Sequence, residues 1–91
     1  MSQRTAASLS KADALLTQLR ASGADARQIE ETEALRRAIA AFHMEAIRFR
    51  MYSVDRLIKL AGEPADTRRI FDELRHELEA AGFHTRSHAS P

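Results

Sequence analysis

Apolar residues recur every three to four positions in three stretches of the chain, and a glycine closes each stretch. That spacing turns one face of an α-helix toward a core, and a glycine just past the last apolar turn is a common left-handed stop. Gly23, Gly62 and Gly82, with Pro64 opening the segment after the second stop, therefore predict three helices. The first covers about 9–21, with Ser8 or Ser10 as cap and Leu9, Ala12, Leu15, Leu16 and Leu19 inward. The second runs without interruption over 25–61, capped by Asp25 with Gln28 reaching back as in a capping box, and would be roughly 55 Å long. The third covers 64–81, with Ile70, Phe71, Leu74, Leu78 and Ala81 inward and Phe83 folding back on Leu78. Residues 1–8 and 84–91 are expected to be disordered ends, leaving 9–83 as one helical domain.

The central helix carries more apolar surface than one core-facing helix shows. One row reads Leu35, Ile39, Phe42, Ala46, Phe49 and Leu60; a second reads Ala40, Met44, Ile47, Met51, Val54, Ile58 and Ala61. At about 100° per residue the rows lie roughly 130° apart and together span an arc near 200°. Arg37, Glu45, Arg48, Tyr52, Asp55, Arg56 and Lys59 fill the remaining, solvated arc. The two flanking helices, laid end to end, cover one row only. The second row calls for another subunit, so the expected architecture is an all-α bundle of a short, a long central and a medium helix, completed by homodimerisation. Ala40, Met44, Ile47, Met51, Val54 and Ile58 would form the interface between the two chains.

Composition supports this picture without naming a function. A chain of 91 residues holds one domain, and one so short buries a modest share of its surface unless something else helps close the core. With no cysteine, neither a disulfide nor a thiolate metal site is available, and oligomerisation is the remaining device. Fourteen basic against thirteen acidic residues give a net charge of +1, too balanced to make a phosphate backbone the default partner. The opening MSQRTAASLSK lacks the apolar run of a signal peptide, and no stretch reaches the length of a membrane span, so a soluble, cytoplasmic protein is expected.

Polar groups inside the apolar arc are the candidates for chemistry. Arg36, His43 and Arg50 recur every seven residues between the two rows and point into the seam between helices. A charge there must pair or reach water, and Asp72 or Glu73 of the third helix are candidate partners for Arg50. His43 would be a neutral core histidine with one hydrogen bond, or a pH-sensitive element of the interface. Arg36 and His43 also resemble the Arg-x(4–6)-His pattern of HEPN-type ribonucleases. That resemblance implies an acid–base role for His43 and charge stabilisation by Arg36 at a dimer cleft.

Glu73-Leu-Arg-His76 has the Glu-x-x-His spacing of di-iron bundles, but helical geometry turns both side chains to solvent, where salt bridging is the expected role. His84 and His88 have the spacing of a helical metal pair but follow a glycine stop, so no metal or other cofactor is expected. The order short, long, shorter helix resembles the histone fold in architecture, which would imply a nucleic-acid-binding dimer. The inter-helix segments ASGAD and AGEPAD are acidic or neutral and lack phosphate donors. MYSVDRLIKLAG, residues 51–62, resembles the closing segment of the TraM-type quorum-sensing antiactivators, through Met51, Leu57, Ile58 and Gly62. Those are small helical proteins that bind and silence a transcription factor. The reading is a non-enzymatic interaction module, a small regulator or adaptor that pairs with itself and with another protein. The alternatives are a HEPN-like ribonuclease using Arg36 and His43 and a histone-like nucleic-acid-binding dimer.

Overall fold

A computed structural model describes residues 3–85. After a 3-10 turn at Gln3–Thr5, the described chain forms four α-helices of nearly equal length: α1 (Ala6–Ala21), α2 (Ala26–Ala40), α3 (Met44–Leu60) and α4 (Ala65–Ala80). The all-helical class agrees with the periodicity. The helix count does not, because the segment expected to be one rod over 25–61 breaks at residues 41–43. The short, long, shorter order behind the histone likeness is therefore missing.

Each helix ends by the same hydrogen-bond device. The N–H two residues beyond the C-cap returns to the carbonyl five positions earlier: Ala24 to Leu19, His43 to Ala38, Glu63 to Ile58 and Phe83 to Leu78, at 2.9–3.1 Å. These paired returns satisfy carbonyls that the helix end would leave bare, and they need a left-handed residue just past the cap. Glycine fills that place at three of the ends. At the end of α2 it is Phe42, with φ 57°, a conformation that costs an L-residue about 1–2 kcal/mol.

The break is completed from the other side. His43 has extended backbone and its Nδ1 accepts the Ala46 N–H at 3.2 Å, so it is the N-cap of α3. Asp25 does the same for α2, its Oδ1 accepting from the Gln28 N–H at 3.0 Å. No side chain caps α1, which begins at Ala6 after Thr5. Ser8, expected to lie in or beside the cap, is instead buried within the helix, with no hydrogen-bond partner for its hydroxyl among the described residues.

Once the chain turns at 41–43, α2 packs on α3, and α1 packs on both α2 and α4. Leu15, Leu19, Leu35, Ile39, Ile47, Met51, Val54, Ile58, Phe71, Leu74 and Leu78 are buried together in one core. The extents of 33 × 32 × 19 Å describe a flattened bundle. Of the helices consecutive in the chain, α3 and α4 touch each other least, and Arg68 bridges them. Its guanidinium donates to Asp55 at 2.6 Å and to Asp72 at 3.2 Å, sits 2.9 Å from Glu63, and lies over the Phe71 ring. Burial opposes the charge on Arg68, and the bonds to Asp55 and Asp72 outweigh it and raise its pKa.

The two ends of the described chain meet at one corner. Arg4 Nε donates to the Ala81 carbonyl at 2.8 Å, and its guanidinium lies over the rings of Phe42 and Phe83. A Cβ on Gly82 would fall 2.8 Å from that guanidinium, so the left-handed glycine also leaves room for it. Thr85, expected to lie in a frayed tail, is buried; its hydroxyl accepts from Arg75 and donates to Glu79. The rest of that tail, 86–91 with His88, lies outside the described residues.

Candidate functional site

Around α3 the apolar side chains fall into two opposed sets. Ile47, Met51, Val54 and Ile58 are essentially inaccessible to solvent. These four belong to the row expected to meet a second subunit, and they are filled by the chain's own helices. Met44 is half-buried, and Ala40 is exposed at the turn. The second cover that a straight central helix required is supplied by α2, folded back after Phe42, so these four side chains are not open to another copy.

The set left outside is different. Phe49, Tyr52 and Leu60 are 59%, 54% and 72% exposed. At about 100° per residue, Phe49 and Leu60 lie roughly opposite the Met51 stripe. Half-buried Leu57 and Ser53 continue the surface toward α2. Together with Arg27 and Glu31 of α2 and Arg56 of α3, these residues line an open groove of about 390 Å³.

Charges around the groove are unevenly matched. Glu31 is taken by Arg50, whose Nη1 donates to both its oxygens at 3.0 and 3.1 Å. Arg50 thus pairs across α2–α3, not with Asp72 or Glu73 of α4, and its guanidinium also lies 5.2 Å from the Phe49 ring centre. Asp55 is held by Arg68 and Lys59. Arg27 and Arg56, by contrast, make no ion pair or hydrogen bond among the described residues, and neither does exposed Arg48, one turn before Tyr52.

The seam row Arg36, His43 and Arg50 does not form a site. Arg36 pairs with Asp13 of α1 through two N–H donors. That bond holds the Asp13 carboxyl below the ordinary carboxylate range, against a small opposing effect of burial. His43 stands exposed at the tip of the α2–α3 turn, its Nδ1 occupied by the Ala46 N–H. The break at 41–43 separates the two residues of the ribonuclease-like pattern into different helices with different partners.

A second hollow, between α1 and α4, is lined by Lys11, Arg69, Glu73 and His76. Glu73 is bonded by Lys11 at 3.0 Å and by Arg69 at 3.4 Å, which lowers its pKa, Lys11 contributing most. It is a salt-bridge partner and leaves no ligand pair with His76. Among the described residues no group of three His, Asp or Glu side chains is placed to hold a metal ion. No described helix is long and apolar enough to cross a membrane.

Comparison with protein-family models, with characterised proteins and with solved structures finds no match. The functional reading therefore rests on the groove. Of its residues, periodicity places Phe49 and Leu60 in an apolar row and Tyr52 and Arg56 in the solvated arc. The available signal was that aromatic Tyr52 sits in a supposedly polar face beside Phe49. A solvated helix face gains nothing from such residues, whereas binding surfaces are enriched in them.

Proposed function

We propose that this protein is a non-enzymatic association module that holds another protein against the outer face of α3. The observation that carries the reading is the row Phe49, Tyr52 and Leu60, exposed on a chain whose other large apolar side chains are mostly interior. Scattered single apolar residues on a surface need no explanation, but two aromatic residues one turn apart and a leucine that line one groove favour an interaction site. A catalytic reading is less well supported, because Arg36 and His43 each already serve a structural bond.

The test is site-specific photo-crosslinking in the cells that express the protein. A benzophenone amino acid at Tyr52 should give a discrete adduct, absent when the same group replaces exposed Ala14 on α1. Phe49→Asp should abolish the adduct with the helical circular dichroism unchanged. An adduct of twice the chain mass would make the occupant a second copy, and absence of any adduct at Tyr52 would overturn the reading.

A further inference from the structure

We infer that the α2–α3 groove takes an amphipathic helix whose apolar stripe is flanked by acidic residues. This rests on the docking reading above and adds the chemistry of the occupant.

Shape argues for a helix. The twelve residues from Phe49 to Leu60 of α3 rise about 16 Å, room for a helix of three turns that presents anchors at i, i+3 or i+4, and i+7. An extended segment would need backbone partners, and no strand among the described residues offers it an edge. A helix satisfies its own backbone and needs only side-chain contacts. The groove volume, about 390 Å³, suits a few inserted side chains.

Charge argues for acidic flanks. Four arginines of this bundle are paired with a carboxylate of another helix, Arg20 with Glu33, Arg36 with Asp13, Arg50 with Glu31 and Arg68 with Asp55, and Arg69 is paired with Glu73 within α4. Arg27 and Arg56, on opposite walls of the groove, have no such carboxylate among the described residues, and neither has exposed Arg48, one turn before Tyr52. Planar guanidinium groups on both rims are suited to carboxylates on both flanks of a helix. The same rims oppose a second copy, which would bring its own Arg48 and Arg56 against them. The exposed faces of α1 and α4 carry no row of large apolar residues to offer in exchange.

Fluorescence anisotropy decides the matter with three probes. The first is a labelled helix-forming peptide carrying Leu at i, i+4 and i+7 flanked by Glu. The second has the same leucines flanked by Lys, and the third is a twelve-nucleotide single strand. The intact protein should bind the Glu peptide at least tenfold more tightly than the Lys peptide. Arg27→Glu with Arg56→Glu should reverse that order, and Phe49→Ser with Leu60→Ser should abolish both affinities, each variant keeping its circular dichroism. Equal binding of the two peptides would overturn the acidic flank and leave the docking reading standing. Tighter, steeply salt-dependent binding of the oligonucleotide would overturn the inference in favour of nucleic acid. Binding of no probe, with the Tyr52 crosslink intact, would overturn the inference alone.

Discussion

Phe42 and Phe83 meet edge to face, their ring centroids 5.9 Å apart and their planes at 78°. The residue that bends α2 into α3 is thus held by the residue that follows α4. Edge-to-face pairs contribute about 0.5–1.5 kcal/mol beyond simple burial, of the same order as the cost of the left-handed backbone at Phe42. The turn stands where a favourable contact offsets local strain.

Substitutions at 42 should separate those two effects. Phe42→Gly relieves the backbone and loses the ring, so its stability should lie within about 1 kcal/mol of the wild type. Phe42→Val loses the ring and adds a β-branched residue at positive φ, so it should fall at least about 2 kcal/mol below the glycine variant. Urea unfolding with a common slope gives both differences, and equal stabilities for Gly and Val would show that the positive φ carries no strain.

His43→Ala should destabilise the fold by about 1 kcal/mol through loss of the cap on α3, and His43→Asn should recover most of it. Thermal unfolding followed at 222 nm reads the change. An alanine variant as stable as the wild type would mean that the Nδ1 bond to Ala46 contributes nothing.

Met51→Ala should cost about 2–5 kcal/mol, the usual range for emptying a well-packed core position. Met51→Glu should abolish the fold altogether, since a carboxylate there would have neither water nor partner. Light scattering paired with circular dichroism is the check. A well-folded glutamate variant that changes only the mass in solution would return Met51 to a subunit interface.

Asp13 links stability to pH. Its folded-state pKa is depressed, first by the hydrogen bond from Arg36, so its contribution is present above the unfolded carboxylate pKa, near 4, and fades as pH falls through the lower folded value. The pair is exposed at 40% and 54%, and solvent screening limits it to at most about 1 kcal/mol. Arg36→Gln should therefore be slightly less stable than the wild type at pH 6, and the difference should shrink as pH falls below 4 and Asp13 takes up its proton. A difference that persists unchanged into acid would show that Arg36 acts through packing instead.

Ser8→Ala should leave stability unchanged or raise it by up to about 1 kcal/mol, because the buried hydroxyl has no partner among the described residues. A loss above 1 kcal/mol in urea would reveal a hydrogen bond at that position.

Much of this fold was legible from periodicity and three glycines. Gly23, Gly62 and Gly82 mark three of the four helix ends, and of the leucines expected inward on α1 and α4 all but half-buried Leu9 are buried. The fourth end was hidden because Phe42 occupies a place that glycine usually advertises. Its trace was nonetheless present in the two apolar rows. Before the break, Leu35 and Ile39 of the first row are buried and Ala40 of the second is exposed; after it, Ile47, Met51, Val54 and Ile58 of the second are buried, while Phe49 and Leu60 of the first face water. An offset of roughly 130° between rows that exchange roles part-way along is the signature of two helices, not of one with two partners. The same continuity conceals the groove, since a single rod puts Phe49 and Leu60 on the face of Leu35 and Ile39, which are buried.

The bond between Arg4 and the carbonyl of Ala81 gives the domain a single doorway. Because Arg4 reaches the last turn of α4, the start of α1 and the end of α4 share one corner of the bundle, an arrangement that suits insertion of such a unit into a surface loop of a host protein. By the same geometry a short linker could join the old ends and a new pair be opened at the 22–25 turn, leaving the α2–α3 groove intact. The bundle is in that sense a closed ring of helices with a movable seam, and the α2–α3 groove lies away from the place where the ring is cut.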